Sequence, residues 1–363
     1  MLNKRLMALL PMNRWCPADL IIISMRMRGH AGPSGYDRLA DFVHGTVIHP
    51  VKDWTMPRRA LARALRFLNE RSGSVWYHRD SLLSELQAAK RWVHRDGQVF
   101  HFLYGENSYR YLGILRQAGH RNGIVATYHL PPEGFRTIVH DLNHLKRLDA
   151  AVVVATSQLG FFSELLGSER VFFVPHGVDV DYFSPGEPPG EREGVFRCLF
   201  VGSHLRDFMT LARAADLLQT RDRDVRFTVV TRSSLHHHFN GLNNVELLAG
   251  ISDRRLLQLY QESHALVLPL LSGTANNTLL EGMACGLPIV STDIPAVRDY
   301  VDADQGILTA RGNADEIVEA VMALKADGEA LGRMARHCRL RALELSWENV
   351  ARRMCEIYAL VSP

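Results

Sequence analysis

Short apolar runs alternate along the chain with segments in which apolar residues recur every three or four positions. Continuous apolar runs are typical of parallel strands buried on both faces, and the wider spacing is typical of helices that cover such strands. The pattern therefore predicts an α/β protein built on parallel sheets.

Eleven strands are predicted, in two sets. The first set falls at residues 18–25, 99–103, 123–127, 150–155 and 171–174. The second set falls at residues 197–201, 226–230, 245–248, 265–268, 288–291 and 305–308. Each set is large enough for one doubly wound sheet.

Proline, glycine and charged residues concentrate in PGEPPGEREG, residues 185–194, a composition that disfavours regular structure and marks a linker. The chain has 363 residues, enough for two domains with separate cores. We predict a first domain at 1–184, in which 1–17 is an irregular extension, and a second domain at 195–345. Residues 346–363 are predicted to form a C-terminal helix that packs back toward the first domain.

Composition and charge exclude several classes of protein. Forty-two basic residues against 39 acidic ones give a net charge of +3, too balanced to indicate a nucleic-acid partner. Five cysteines without paired spacing favour neither a disulfide framework nor a zinc module, so we expect a cytoplasmic protein. No apolar run approaches the roughly 20 residues that a membrane-spanning helix needs.

Basic residues are concentrated near the amino terminus. Residues 1–70 contain eleven basic and five acidic residues. The helix-like segment 58–70 carries Arg59, Arg63 and Arg66 on one face and apolar residues on the other. Two interpretations stay open: a peripheral helix on anionic lipid headgroups, and an ordinary surface helix packed on its sheet.

The most informative segment is LSGTANNTLLEG, residues 271–282, which follows a predicted strand and opens a predicted helix. Gly273, Thr274 and Ala275 are small, so the backbone can approach an anion closely. A helix that begins near Asn276 offers unpaired N–H groups to a phosphate at the carboxyl edge of the sheet.

Asn277 and Glu281 are four residues apart and therefore share one face of this helix. A buried carboxylate one turn into the helix can accept hydrogen bonds from two hydroxyls, as the ribose of a nucleotide presents them. The alternative is that Glu281 faces solvent or pairs with an arginine.

This segment resembles the retaining glycosyltransferases of family 4. The resemblance also rests on NVELLAGISDRRLLQLYQESHALVLPL, on LSWENVARRMCEIY and on VVVATSQLGFFSELLGSERVFFVPHGVDVDYFSP. It covers nearly the whole chain from Leu20 and is most specific between Val171 and Val301. It implies the GT-B fold, in which two Rossmann-like doubly wound domains with parallel sheets face each other across a cleft.

The resemblance also implies a reaction. Family 4 enzymes transfer a sugar from a nucleotide-diphosphate sugar to an acceptor and keep the anomeric configuration, generally without a required metal or other cofactor. Glu281 matches the second acid of the family's paired-glutamate motif, which typically holds the ribose. The first acid should stand eight residues earlier, where this chain has Gly273. Asn276 or Asn277 could replace its sugar contacts, so we expect a variant enzyme rather than an inactive one.

The family places an arginine and a lysine against the diphosphate in the region of FVGSHLRDFMTL, residues 200–211. Arg206 is the strong cation available there, and its guanidinium can bridge two phosphate oxygens, with Ser203 adding a hydrogen bond. A surface arginine at a helix start is the alternative. His129 follows a predicted strand and resembles the family histidine that meets the donor sugar or the reacting bond. A structural histidine is its alternative, and Glu106 is a candidate either for orienting the acceptor or for a structural ion pair.

The loop MRMRGHAGPSG, residues 25–35, lacks the GxGxxG spacing of a dinucleotide fingerprint. In the family this loop approaches the donor phosphate and the acceptor, and Ser34 is a plausible cap for the helix that follows. We therefore predict His129, Arg206 and Asn276 as catalytic and no metal site. The predicted donor-binding residues are Gly32, Gly35, Ser203, Gly273, Thr274, Ala275, Asn277, Thr278 and Glu281.

The expected acceptor is a glycan or a lipid-linked molecule, in cell-envelope polysaccharide or glycoconjugate synthesis. Two alternatives stay open. A nucleotide-sugar epimerase on the same scaffold would change a sugar carbon without an acceptor. A non-catalytic subunit would bind the nucleotide-sugar without releasing nucleoside diphosphate.

Overall fold

The computed structural model describes residues 19–25, 32–49, 63, 66–68, 70–186 and 194–363. The predicted extension at 1–17, most of the helix-like segment 58–70 and most of the predicted linker lie outside the described residues. Within 58–70, the described residues are helical and exposed; they are Arg63, Arg66, Phe67, Leu68 and Glu70.

The first sheet has six parallel strands in the order β2-β1-β3-β4-β5-β6. They are β1 (Leu20–Ile23), β2 (Thr46–Ile48), β3 (Val99–Phe102), β4 (Gly123–Tyr128), β5 (Ala150–Val153) and β6 (Val171–Phe173). The five predicted strands of this set are confirmed. β2 was not predicted because it is an edge strand of three residues with only Ile48 buried, so it has no apolar run.

The second sheet also has six parallel strands, in the order β12-β11-β10-β7-β8-β9. They are β7 (Phe196–Val201), β8 (Val225–Val230), β9 (Val245–Leu248), β10 (Ala265–Leu268), β11 (Ile289–Thr292) and β12 (Gly306–Thr309). All six agree with the prediction because each is a continuous run of mostly apolar residues. The predicted α/β class with two doubly wound parallel sheets is confirmed.

The α-helices lie along the sheets and bury their apolar faces. In the part of the chain up to His176 they are α1 (Arg79–Trp92), α2 (Gly105–Ser108), α3 (Pro132–Ile138) and α4 (Leu159–Leu166). The others are α5 (Phe208–Arg221), α6 (Asp253–Glu262), α7 (Asn277–Ala284), α8 (Pro295–Arg298), α9 (Ala314–Ala326), α10 (Gly328–Glu344) and α11 (Trp347–Val361). Among the described residues, one hydrophobic core lies around each sheet.

The described residues divide into two compact units. The first contains 19–25, 35–176 and 347–363, and the second contains 32–34 and 177–346, with the gaps given above. The change of unit at His176 precedes the predicted linker, and α11 belongs to the first unit. Inside that unit the Tyr358 hydroxyl of α11 lies 2.7 Å from His101 Nδ1 on β3.

Each sheet has one point at which the order of its strands reverses. In the first sheet the chain moves outward from β1 to β2 and then returns to β3 on the other side of β1. In the second sheet the same reversal separates β7 from β10. Ligands of open α/β sheets bind outside the carboxyl ends of the strands at such a point. The loops that follow β1, β3, β7 and β10 are therefore where the fold favours a site.

Among the described helices, none combines the length and the apolar character needed to cross a membrane.

Candidate functional site

The loops that follow β7 and β10 are joined by backbone hydrogen bonds in the second unit. The Leu271 N–H donates to the Leu205 carbonyl at 3.0 Å, and the Asp207 N–H donates to the Pro269 carbonyl at 3.0 Å. Asp207 also caps α5, because its carboxylate accepts from the Thr210 N–H at 3.0 Å. The two loops at the strand reversal of the second sheet are thus fixed to each other.

Arg206 connects these loops through its side chain. Its Nε donates to the Val201 carbonyl at 3.0 Å and its Nη1 to the His204 carbonyl at 3.1 Å. Its Nη2 donates to Asn276 Oδ1 at 3.2 Å and to Thr278 Oγ1 at 3.1 Å. The guanidinium is therefore held in one orientation at the start of α7.

Because Gly202 has no side chain, the Arg206 guanidinium has room to adopt this orientation. A Cβ at Gly202 would lie 2.8 Å from Arg206 Nη2 and 3.2 Å from its Cζ. The Gly202 φ angle is 103°, which residues with a side chain rarely adopt. The guanidinium thus occupies the space that any other residue would fill.

Burial lowers the pKa of Arg206 to about 10, with the charges of Tyr260 and Glu281 acting in the opposite direction. Arg206 therefore stays protonated near neutral pH. Arg206 is half-buried, and such a cation binds an anion more strongly than a fully exposed one, since water screens it less.

The amino terminus of α7 lies beside this cation. Asn276 is the residue that precedes α7, but its side chain does not cap the helix, because its oxygen accepts from Arg206 instead. The first N–H groups of a helix carry a partial positive charge. Together with Arg206 they form a local arrangement that favours an anion.

The small residues before α7 leave room. A Cβ at Gly273 would meet no atom within 4 Å, so there is open space beside this residue. Thr274 is buried and Ala275 is half-buried on the same loop. Asn277 and Thr278 are the first two residues of α7, and Ser203 lies half-buried after Gly202.

Glu281 lies one turn further along α7 and is buried, with an exposed fraction of 4%. Its Oε2 accepts a hydrogen bond from the Tyr260 hydroxyl at 2.8 Å, and its Oε1 accepts one from the Ser34 hydroxyl. Burial raises the pKa of this carboxyl, while the two hydroxyls and the charge of Arg206 oppose the rise. Glu281 therefore does not face solvent, and among the described residues no arginine forms an ion pair with it.

The prediction that Ser34 caps the helix that follows it is wrong. The 3-10 helix Tyr36–Asp41 follows Gly35, whose φ of 108° favours glycine, and no side chain caps it. Ser34 instead donates to Glu281, and the Gly32 N–H donates to Asp253 Oδ2 at 2.7 Å. In the structure Gly32 therefore contacts an acid at the start of α6.

The structure places Arg206 and Asn276, predicted as catalytic, close to Thr278 and Glu281, predicted to bind the donor. Arg206, Asn276 and Thr278 form one hydrogen-bonded network, and Glu281 is one turn away. Tyr260 was not predicted as a site residue. It lies on α6 among apolar residues, so the sequence gives it only the pattern of a core position.

In the first unit, Glu106 and His129 meet at the carboxyl ends of β3 and β4. The His129 N–H donates to Glu106 Oε1 at 3.1 Å, and His129 Nε2 lies 2.8 Å from the Leu103 carbonyl. Because a carbonyl oxygen only accepts, Nε2 carries the proton in this contact. Burial raises the pKa of Glu106 to about 7.

Aromatic rings surround His129. Its ring centroid lies 4.8 Å from that of Tyr36 and 4.6 Å from that of Tyr104. The His176 ring lies 5.3 Å from Tyr36. His129 is thus held by its backbone, its Nε2 and its packing; its predicted catalytic role remains a prediction.

No three His, Cys, Asp or Glu side chains of the described residues lie together as a metal site. The three adjacent histidines at 236–238 lie on a short 3-10 helix, Ser233–Phe239. Independence from metal remains a prediction.

Residues 195–327, fewer than half of the chain, match the family model described as Glycosyl transferases group 1. A D-inositol 3-phosphate glycosyltransferase of Arthrobacter sp. (strain FB24) is 28% identical over 211 residues, which are 52% of this chain and 50% of that protein. The chain thus spans about half the length of this relative. A phosphatidyl-myo-inositol mannosyltransferase of Mycolicibacterium smegmatis is 26% identical over 292 residues, 75% of this chain and 74% of that protein.

The crystal structure of Anabaena Alr3699/HepE in complex with UDP and glucose superposes with a TM-score of 0.69. The two sequences are 15% identical, and the match covers 94% of this chain and 100% of that chain. This likeness concerns the fold. The chain therefore has the GT-B architecture, and residues 195–327 of its second unit contain a domain that matches the group 1 glycosyl transferases.

Proposed function

We propose that this protein is a glycosyltransferase that moves a hexose from a nucleotide-diphosphate sugar to a hydroxyl of its acceptor. The observation that carries the proposal is the network of Arg206, Asn276 and Thr278 at the strand reversal of the second sheet, with Glu281 one turn away. A cation and a helix start suit a diphosphate, and a buried carboxylate suits a ribose. The match of this same region to the group 1 glycosyl transferases supports the assignment.

The diphosphate is proposed to lie at Arg206 and the first N–H groups of α7. Negative charge grows on the diphosphate as its bond to the sugar breaks, so these groups stabilise the transition state more than the bound substrate. Arg206 needs little reorganisation, because the Val201 and His204 carbonyls already fix its guanidinium. Ser203 and Gly273 to Ala275 would line the approach of the phosphates.

The ribose is proposed to bind Glu281. An ionised carboxylate has about four acceptor positions, of which the Ser34 and Tyr260 hydroxyls use two. A vicinal diol can use the remaining positions or take the place of the Ser34 hydroxyl. Each such charge-assisted bond contributes about 1.5 to 3 kcal/mol.

The transfer is proposed to retain the anomeric configuration and to need no metal. Position 273 is a glycine, so the loop that precedes α7 lacks the first acid of the family's paired-glutamate motif. A departing phosphate oxygen can itself take the acceptor's proton on the face where the new bond forms. Asn276 or Asn277 would contact the sugar hydroxyls, and a catalytic role is also proposed for His129.

The donor and acceptor classes follow from the relatives only as proposals. A UDP-hexose is the first donor to test, since the Anabaena protein was crystallised with UDP and glucose. A polyol or a lipid-linked acceptor is proposed because the relatives are named for inositol phosphate and phosphatidylinositol. A role in cell-envelope glycoconjugate synthesis fits such acceptors.

A cytoplasmic location with peripheral contact to an anionic membrane is part of the same proposal. Arg63, Arg66, Phe67 and Leu68 are each helical and exposed. Cations beside exposed apolar side chains suit a surface of anionic lipid. The contact is tested by sedimentation with vesicles that contain or lack phosphatidylglycerol.

The activity is tested by incubating the full chain with UDP-glucose, UDP-galactose, UDP-N-acetylglucosamine or GDP-mannose and a panel of acceptors, with and without EDTA. The proposal predicts acceptor-dependent release of nucleoside diphosphate, unaffected by EDTA, and an NMR spectrum of the product with the donor's anomeric configuration. An epimerase would convert the donor without acceptor. A binding subunit would release no nucleoside diphosphate, and either result would overturn the proposal.

A further inference from the structure

Three glutamates of the described residues are buried to a similar degree but differ in their partners. They are Glu85 with an exposed fraction of 2%, Glu106 with 4% and Glu281 with 4%. Buried polar atoms are almost always hydrogen-bonded, and an exception calls for an explanation. Comparing the partners of the three side chains identifies the exception.

Glu85 is fully occupied. Its Oε2 accepts from the Tyr77 hydroxyl at 2.5 Å. Its Oε1 accepts from the N–H groups of Arg110, Tyr111 and Leu112 at 2.9, 2.6 and 2.7 Å. Glu85 therefore holds the chain at residues 110–112 in place and has a structural role.

Glu106 differs on one oxygen. Its Oε1 accepts from the His129 N–H at 3.1 Å, but its Oε2 is out of contact with solvent and has no hydrogen-bond partner among the described residues. The alternative of a structural ion pair finds no partner among the described residues, since no charged group is among the causes of the altered pKa of Glu106. Glu106 thus keeps one desolvated oxygen that a donor from outside the described residues could satisfy.

The position of Glu106 in the fold is the second observation. Glu106 lies on α2, directly after β3, at the strand reversal of the first sheet. Gly105 allows α2 to approach the end of β4, because a Cβ there would lie 2.6 Å from the Tyr128 ring. The carboxyl edge at a strand reversal is where open α/β sheets bind ligands.

We propose that Glu106 binds a ring hydroxyl of the acceptor, and that the acceptor is a cyclic polyol or a sugar. This inference rests on the proposed function, because it names the acceptor side of the same transfer. A hydroxyl suits the unpartnered oxygen in either state of the carboxyl, since it can donate to the carboxylate and accept from the acid. The bond to the carboxylate is the stronger one because it is charge-assisted.

The inference predicts a dependence on pH. Burial raises the pKa of Glu106 to about 7, so the carboxylate form becomes dominant above neutral pH. The titratable groups near it are Tyr104 and Tyr128, whose own pKa values burial raises, and His129. Acceptor affinity should therefore increase as the pH rises through 7.

The test measures binding of myo-inositol, D-inositol 3-phosphate and methyl α-glucoside by calorimetry between pH 5.5 and 8.5, in the presence of UDP. We expect the wild type to bind at least one of them. Glu106→Gln should weaken that binding about tenfold at pH 8 and remove its pH dependence. UDP affinity should change less than about twofold. Glu85→Gln is the matched control: it should lower the melting temperature at pH 8 and leave polyol affinity unchanged in the folded fraction.

Three results would overturn the inference. These are a wild type that binds none of the three probes, a Glu106→Gln variant that binds them with the wild-type affinity and pH profile, and a Glu85→Gln variant that reproduces the loss. A Glu106→Gln variant that changes only the melting temperature would assign Oε2 to an internal water. A failure of the proposed function can be told apart from a failure of this inference. In that case the wild type would not bind UDP, whatever the result with the polyols.

Discussion

The Tyr260 hydroxyl on α6 donates a hydrogen bond to Glu281 Oε2 on α7 at 2.8 Å, and both side chains are buried. This bond stabilises the ionised carboxylate, since it opposes the rise in the pKa of Glu281 that burial causes. Tyr260 is therefore a positioning residue for the proposed ribose site. Its hydroxyl matters as much as its ring.

Tyr260→Phe should weaken nucleotide binding. Without the hydroxyl the pKa of Glu281 rises further, so the carboxylate is protonated at a higher pH and accepts fewer hydrogen bonds from ribose. We expect UDP affinity to fall about tenfold, which corresponds to about 1.4 kcal/mol. The acidic limb of the binding profile should move to higher pH, as calorimetry across pH would show.

Tyr182→Phe is the control for this substitution. Tyr182 is half-buried, and its hydroxyl makes no hydrogen bond to Glu281. An equal shift of the pH profile in both variants would assign the effect to packing rather than to the bond with Glu281.

Gly202→Ala should weaken donor binding although it removes no functional group. The new Cβ would lie 2.8 Å from Arg206 Nη2, so the guanidinium must move away from Asn276 and Thr278. Backbone strain at φ 103° should also lower stability by about 1 kcal/mol or more. We expect UDP affinity to fall at least about tenfold, measured by calorimetry.

Gly241→Ala separates the two effects of that substitution. Gly241 has a φ of 84°, and a Cβ there would meet nothing within 4 Å. It should therefore lose stability without losing UDP affinity. Similar affinities in the two variants would show that the position of Arg206 does not govern donor binding.

Glu106→Gln should change how stability depends on pH. A carboxyl of pKa about 7 in the folded chain, against a usual value of 4.5, favours the folded state below pH 4.5. That contribution is lost as the pH rises from 4.5 through 7. The difference is about 3 kcal/mol, since one pKa unit corresponds to 1.36 kcal/mol.

Glu106→Gln has no such carboxyl, so it should not lose this contribution to the free energy of unfolding as the pH rises through 7. Its free energy of unfolding relative to the wild type should therefore be higher at pH 8 than at pH 5, by an amount of that order. Urea unfolding at the two pH values measures the difference. A constant offset between the two proteins would mean that Glu106 does not titrate near neutral pH.

The sequence predicts the sheets well because their strands are continuous apolar runs. It does not predict β2, whose three residues at a sheet edge carry no such run. It brings Arg206 and Asn276 into one region because both follow strands, and the carboxyl ends of parallel strands share an edge of the sheet. This part of the site follows from where parallel strands end along the chain, and the spacing of apolar residues predicts those ends.

Other contacts depend on side-chain directions that the sequence does not encode locally. Ser34 has the pattern of a helix cap, yet its hydroxyl reaches Glu281, 247 residues away. Tyr260 has the pattern of a core residue, although its hydroxyl supports the same carboxylate. Glu106 was a candidate either for orienting the acceptor or for an ion pair, and the sequence does not reveal that one of its oxygens has no partner among the described residues.

The central claim is that Glu281 and Arg206 hold a sugar nucleotide. It is tested most directly by calorimetric titration of UDP and UDP-glucose into the wild type, Glu281→Gln, Arg206→Lys and the surface control Glu319→Gln. The account predicts binding by the wild type and the control, and affinities about 10 to 100 times weaker in the two site variants. Equal affinities in all four folded proteins, or no binding by the wild type, would contradict it.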